Sequence, residues 1–152
     1  MTAAIALFQD TDRPEPWEPA PRPSPYPGVS PALGRVLVVD DDELLRQVVG
    51  RMLEEAGYHV VLAADGLEAL ERLAEVTGFD AVVADLRMPR MGGRSLGEHL
   101  ARHDPELPVL YISGYASDWE PDLAARPARA FLPKPFAESD LLASLRDLLG
   151  RG

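Results

Sequence analysis

The 152-residue chain contains no cysteine. That excludes a disulfide framework, a thiolate nucleophile and a zinc site built on sulfur, and it leaves the redox compartment unspecified. Positive charge is scarce as well. Lys and Arg number 15 against 25 Asp and Glu, for a net charge of -10 at pH 7. This argues against a nonspecific grip on DNA, RNA or an anionic membrane. No apolar run approaches the length of a membrane span. The start, Met1 to Phe8, has no basic region and meets Gln9-Asp10 too soon for a signal peptide. The expected setting is therefore the cytoplasm, with no membrane and no direct nucleic-acid partner. What is present, 46% hydrophobic and 26% charged residues, is enough to build one domain with a real core, plus a tail.

Proline is plentiful but confined. Eight of the 15 prolines fall between Pro14 and Pro31, several in alternation. Residues 1–34 are thus expected to be an extended or disordered Pro-rich segment or linker. A Pro-rich recognition motif is the alternative. Thr2 to Phe8 is a short apolar patch that could dock elsewhere. From Arg35 the pattern becomes alternating strand and helix signals, and residues 35–150 form the predicted domain. Val36 to Val39 reads as a strand. Leu44, Leu45, Val48, Val49, Met52 and Leu53 then recur at helical spacing, stopped by Gly57. His59 to Ala63 is a second strand, followed after Asp65-Gly66 by a helix ending near Gly78. Ala81 to Ala84 is a buried third strand, with Asp85 where it should stop. Leu96 and Leu100 mark a third helix and Val109 to Ile112 a fourth strand. Asp118 to Ala125 allows at best a short fourth helix, since Pro121 fits only its first turn. Ala130 to Leu132 is a fifth strand, and Leu141 to Leu149 a last helix. Short connections between such units imply an α/β fold whose parallel sheet carries helices on both faces.

Polar residues follow four of these strands: Asp40 and Asp41 the first, Asp85 the third, Ser113 the fourth and Lys134 the fifth. In a doubly wound sheet these strand ends share one edge, where such sheets bind ligands. Singly, each is an ordinary cap or turn residue, as Asp42 should be at the start of the first helix. Together, three acids, a hydroxyl and a lysine point to charge chemistry. Carboxylates sharing a pocket repel and need a positive partner. A hard cation, Mg2+ or Mn2+, suits them and leaves room for a phosphate oxygen. Asp85 can then act as a nucleophile and become an acyl phosphate. Lys134 would offer a point charge to phosphoryl oxygens, and Ser113 a hydrogen bond.

The stretches Val36-Leu37-Val38-Val39-Asp40-Asp41, Val82-Val83-Ala84-Asp85-Leu86-Arg87-Met88-Pro89, Ile112-Ser113-Gly114-Tyr115 and Lys134-Pro135-Phe136 stand in this order. They closely resemble the receiver domain of response regulators in two-component phosphorelay signalling. The likeness runs over roughly residues 35–149 and is similar to receivers at the C-terminus of hybrid histidine kinases. It implies a flavodoxin-like (βα)5 sandwich with a five-stranded parallel sheet in the order 2-1-3-4-5. Position by position it makes Asp85 the phospho-acceptor and Asp41 a direct Mg2+ ligand. Asp40 would be an acid acting mainly through water, and the Arg87 backbone carbonyl a further metal ligand. Ser113 becomes the switch hydroxyl, Lys134 the phosphoryl-pairing lysine with a cis bond to Pro135, and Phe131 the rotating aromatic switch. A plain core role for Phe131 stays open.

The implied partners are a sensor histidine kinase or phosphotransfer domain, and a downstream protein. The latter would be met on the face of the fourth helix, fifth strand and last helix, where a homodimer is also compatible and Trp119 is either a contact or a core residue. Both a stand-alone regulator and the receiver of a hybrid kinase are consistent with the chain, which shows no DNA-binding or enzymatic output sequence. Arg87 and Tyr115 depart from small residues and are expected to flank the route of attacking water and slow hydrolysis of the phosphoryl group. Two alternatives stand beside this reading. One is an aspartyl-nucleophile phosphatase of the haloacid dehalogenase type, disfavoured because Arg87 occupies the place of its general acid. The other is a receiver-like binding module that is never phosphorylated.

Overall fold

A computed structural model of the chain describes residues 33–115, 118 and 126–150. The expectations for nearly all of the Pro-rich segment, for the short helix from Asp118 to Ala125 beyond its first residue, and for Trp119 lie outside these residues. Five strands are described: β1 (Arg35–Val39), β2 (His59–Ala63), β3 (Ala81–Asp85), β4 (Val109–Ser113) and β5 (Arg129–Pro133). They form one parallel sheet in the order β2-β1-β3-β4-β5. The helices among the described residues are α1 (Glu43–Ala56), α2 (Gly66–Glu75), α3 (Gly93–His103) and the last helix, α4 (Glu138–Leu148). None is long and apolar enough to cross a membrane.

The sheet is buried on both faces, so its strands read as unbroken apolar runs rather than alternating ones. Alternation survives in the direction each side chain takes. Leu37, Val39, Val82, Ala84, Val109 and Tyr111 pack with Leu96 and Leu100 of α3 and Ala69 of α2. Val36, Val38, Ala81, Val83, Leu110 and Ile112 point the other way, onto Val49 and Leu53 of α1 and Leu141 and Leu145 of α4. Each fully buried Leu or Val in these two layers contributes about 1.5–3 kcal/mol relative to exposure.

Local chemistry sets the helix ends. Asp42, as expected, caps α1 by accepting the Leu45 N–H at 3.2 Å, and Gly57 ends it with φ 113, a conformation that favours glycine. Asp65 caps α2 through the Glu68 N–H at 2.9 Å. That helix stops at Glu75, short of Gly78, because Val76 is already extended with φ -123 and ψ 129. Around the rim, Gly93 lets α3 begin directly over β3, since a Cβ there would collide with the Asp85 carbonyl.

Candidate functional site

The parallel register brings the strand ends together. Val39 lies beside Ala84, Asp85 beside Ile112, and Ser113 beside Pro133. The first residues past β1, the last of β3 and β4, and the first past β5 therefore share one edge. Three backbone bonds tie down the exits: Asp40 N–H to the Ala63 carbonyl at 3.1 Å, Leu86 N–H to Ile112 at 2.9 Å, and Lys134 N–H to Ser113 at 2.9 Å. The Lys134–Pro135 peptide bond is cis.

Asp40, Asp41 and Asp85 each present a carboxylate oxygen, and these oxygens lie within 4.8 Å of one another. Asp40 and Asp85 are buried while Asp41 is exposed. Asp40 is held in place by the Asp42 N–H, which donates to its Oδ1 at 2.9 Å. Burial pushes its carboxyl above the usual range, opposed by that hydrogen bond and reinforced by repulsion from Asp85. Lys134 is the positive counterpart. Its Nζ lies 3.0 Å from Asp85 Oδ2 and 3.7 Å from Asp40 Oδ2. Burial works against its charge, but the bond to Asp85 and the field of both acids outweigh it and raise its pKa. One lysine facing three carboxylates leaves an excess of negative charge. The donors are all hard oxygens, so the set fits a small divalent cation rather than a soft metal.

The edge of the site is closed by a second network. Ser113 is buried, and its hydroxyl donates to Asp118 Oδ2 at 2.8 Å while accepting the Tyr115 N–H at 3.1 Å. Arg87 donates its backbone N–H to Asp85 Oδ1 at 3.1 Å. Its Nε reaches both oxygens of Asp118, at 3.0 and 2.7 Å. The guanidinium lies 3.9 Å from the centroid of the Tyr115 ring, in cation–π contact. Those hydrogen bonds, from Arg87 first and then Ser113, hold the Asp118 carboxyl below its ordinary range. Phe131 is half-buried beside Tyr111 of β4 and packs against the layer containing Leu37 and Leu96.

All five rim residues singled out in the sequence thus meet at one edge, and Phe131 lies on the neighbouring strand. From the sequence, Asp118 stands only at the start of a possible short helix. Its partner Arg87 is 31 residues away, and no spacing rule links the two. A second pair was also not anticipated. Arg90, in the positive-φ region at 67°, places its Nε 2.6 Å from Asp65 Oδ2.

With this geometry in view, residues 36–146 match the family model described as the response regulator receiver domain. The response regulator MprA of Mycobacterium sp. (strain KMS) is 44% identical over 119 residues, covering 77% of this chain and 51% of the relative. The sensor kinase CckA of Brucella abortus (strain 2308) is 39% identical over 116 residues, 75% of this chain but 12% of the kinase. Among solved structures, the response regulator TrrA of Thermotoga maritima in complex with Mg2+-BeF is similar, with a TM-score of 0.69 at 26% identity. That match covers 76% of this chain and 99% of the other. This chain therefore spans about half of MprA and a small part of CckA. The matched model, the five-stranded order and the acidic edge converge: this chain belongs to the response regulator receiver domain family.

Proposed function

We propose that Asp85 accepts a phosphoryl group from a phosphohistidine and that the modified protein signals by binding. A receiver domain is a signalling module rather than a turnover enzyme, which sets the phosphatase alternative aside. The observation that carries the reading is the placement of the Asp85 carboxylate: 3.0 Å from the Lys134 ammonium and within 4.8 Å of two further acids. The crystal structure of TrrA in complex with Mg2+-BeF supports the pairing of a divalent cation with a compact anionic group in a protein of this fold.

Asp40, Asp41, Asp85 and the Arg87 backbone carbonyl would hold Mg2+, or Mn2+ in its place. When bound, the cation neutralises charge between the acids and the phosphoryl oxygens. In the transfer, an Asp85 carboxylate oxygen attacks phosphorus. A P–O bond forms, the P–N bond of the phosphohistidine breaks, and the imidazole leaves with the electron pair. Lys134, already paired with Asp85, exchanges one carboxylate oxygen for a phosphoryl oxygen and spreads the new charge. Ser113 then turns its hydroxyl to another phosphoryl oxygen, and Phe131 moves inward as that space opens.

The result is a population shift that reshapes the surface around β5 and α4, and around the fourth helix expected from the sequence. The direct donor is a sensor histidine kinase or phosphotransfer domain, and a downstream protein reads that face. Residues 35–150 act as the receiver and 1–34 as a linker in a cytoplasmic protein. The two curated relatives, a response regulator and a sensor kinase, support either setting for the domain.

Acetyl phosphate with Mg2+ followed by intact-mass analysis tests this reading. A gain of one phosphoryl group in the wild type, absent in Asp85→Ala and with EDTA, is expected. A gain that persists in Asp85→Ala would overturn it, as would a wild type that takes up none, the outcome expected of an unphosphorylated binding module.

A further inference from the structure

The network around Asp118 assigns this carboxylate a role in the switch, an inference that rests on Asp85 being the phospho-acceptor. A phosphoryl group on Asp85 needs donors for its outer oxygens. The Ser113 hydroxyl, one residue past Asp85's neighbour Ile112 on β4, and the side chain of Arg87, whose backbone N–H already bonds Asp85, are candidate donors alongside Lys134. Both are already taken by one carboxylate. Asp118 Oδ2 accepts from Ser113 at 2.8 Å, and Arg87 Nε spans both Asp118 oxygens at 3.0 and 2.7 Å. The Ser113 hydroxyl has one proton. A charged acceptor at 2.8 Å competes for it better than the Tyr115 carbonyl at 3.4 Å.

We propose that Asp118 is a positioning residue that stands in for the phosphoryl group in the unmodified protein. It holds the Ser113 hydroxyl and the Arg87 side chain in their resting orientation until a stronger anion on Asp85 takes them. An exposed ion pair alone would carry little energy. Asp118, however, is only 16% exposed and also satisfies a hydroxyl on a residue that is 2% exposed, which needs a partner wherever it points. Tyr115 supplies the second anchor, since its ring carries the Arg87 guanidinium at 3.9 Å. The exchange has a mechanical consequence. When Ser113 and Arg87 turn to the phosphoryl group, Asp118 loses both donors, and with them its own tie to the β3–α3 loop. Phosphoryl arrival is thereby converted into release of Asp118.

The test is the initial rate of phosphoryl gain from acetyl phosphate and Mg2+, read by intact mass. Asp118→Ala should be faster than wild type by roughly 3- to 10-fold, the range set by the net worth of one ordinary hydrogen bond. Asp118→Glu, which keeps a carboxylate, should fall back toward the wild-type rate. In a Ser113→Ala background the gain from Asp118→Ala should shrink, because one of the two restrained donors is gone. An Asp118→Ala rate equal to or below wild type overturns the proposal, as does an undiminished gain without the Ser113 hydroxyl or a Glu variant that behaves like Ala. Asp85→Ala runs beside these. Uptake by that variant would strike down the phospho-acceptor reading itself, whereas uptake confined to Asp85 with no Asp118 effect strikes down the stand-in role alone.

Discussion

The loop between β3 and α3 sends out two arginines in different directions, and each ends on an aspartate. Arg90 reaches Asp65 at 2.6 Å, and Arg87 reaches Asp118 at 2.7 Å. The pairs are chemically alike, and in both the arginine is largely exposed. What differs is the second group that each carboxylate holds. Asp65 also accepts the Glu68 N–H at the start of α2, a bond that stays made for as long as that helix exists. Asp118 also accepts the Ser113 hydroxyl, a bond that a phosphoryl group would break. An ion pair's job is thus read from its third member: one pair closes a helix end and the other restrains a moving part.

Lys134 sets the scale for both. It is the cation in direct contact with Asp85, and removing a single preorganised donor of this type costs catalysis about 100- to 1,000-fold. Lys134→Ala should therefore slow phosphoryl gain by about that factor while the wild-type fold persists by circular dichroism. If Arg87→Ala were the more damaging change, the division of labour between Lys134 and the arginines would fail. Next in size is the crossing pattern between the two aspartates. Asp65→Ala removes a helix cap and should lower unfolding free energy by about 1 kcal/mol in urea titrations, leaving the phosphorylation rate near wild type. Asp118→Ala should instead raise the phosphorylation rate, whatever it costs in stability. A wild-type rate in Asp118→Ala, or an equal rise in Asp65→Ala, would erase the distinction.

The smallest effect concerns acid. Arg90 first, and then the Glu68 N–H, hold the Asp65 carboxyl below its ordinary value. Its contribution to stability is thus complete above the unfolded carboxyl pKa of about 4 and is lost as pH falls through the depressed folded value. Asp40 has the opposite sign. Burial raises its pKa, so its ionisation costs stability at neutral pH, and that cost is relieved as the carboxyl protonates. Asp65→Asn should flatten the acid limb of a stability–pH profile below about pH 4, and Asp40→Asn should raise stability at pH 7. An unchanged acid limb in Asp65→Asn would remove the electrostatic part of the comparison.

Much of this was legible in the chain itself. Runs such as Val36 to Val39 and Val109 to Ile112, short, rich in β-branched residues and bounded by turn residues, read as strands buried on both faces, and the leucines between them repeat at helical spacing. The parallel topology then forces Asp40, Asp41, Asp85, Ser113 and Lys134 to one edge. The side-chain pairings across that edge were not legible. Asp118 sits in a proline-bordered segment with no periodicity, and its bond to Arg87 exists only because the sheet sets β3 beside β4. The sequence places the end of α2 only near Gly78; the backbone is already extended at Val76. Arg90 pairs with Asp65 from a left-handed backbone conformation, which arginine seldom adopts and which no composition rule signals.

The most direct measurement traps the modified side chain. After exposure to acetyl phosphate and Mg2+, borohydride reduces an aspartyl phosphate to homoserine, and peptide mass spectrometry locates it. Homoserine at position 85, absent when EDTA is present, is the predicted result. Homoserine at position 40 or 41 instead, or none in protein that has gained the phosphoryl mass, would contradict Asp85 as the acceptor.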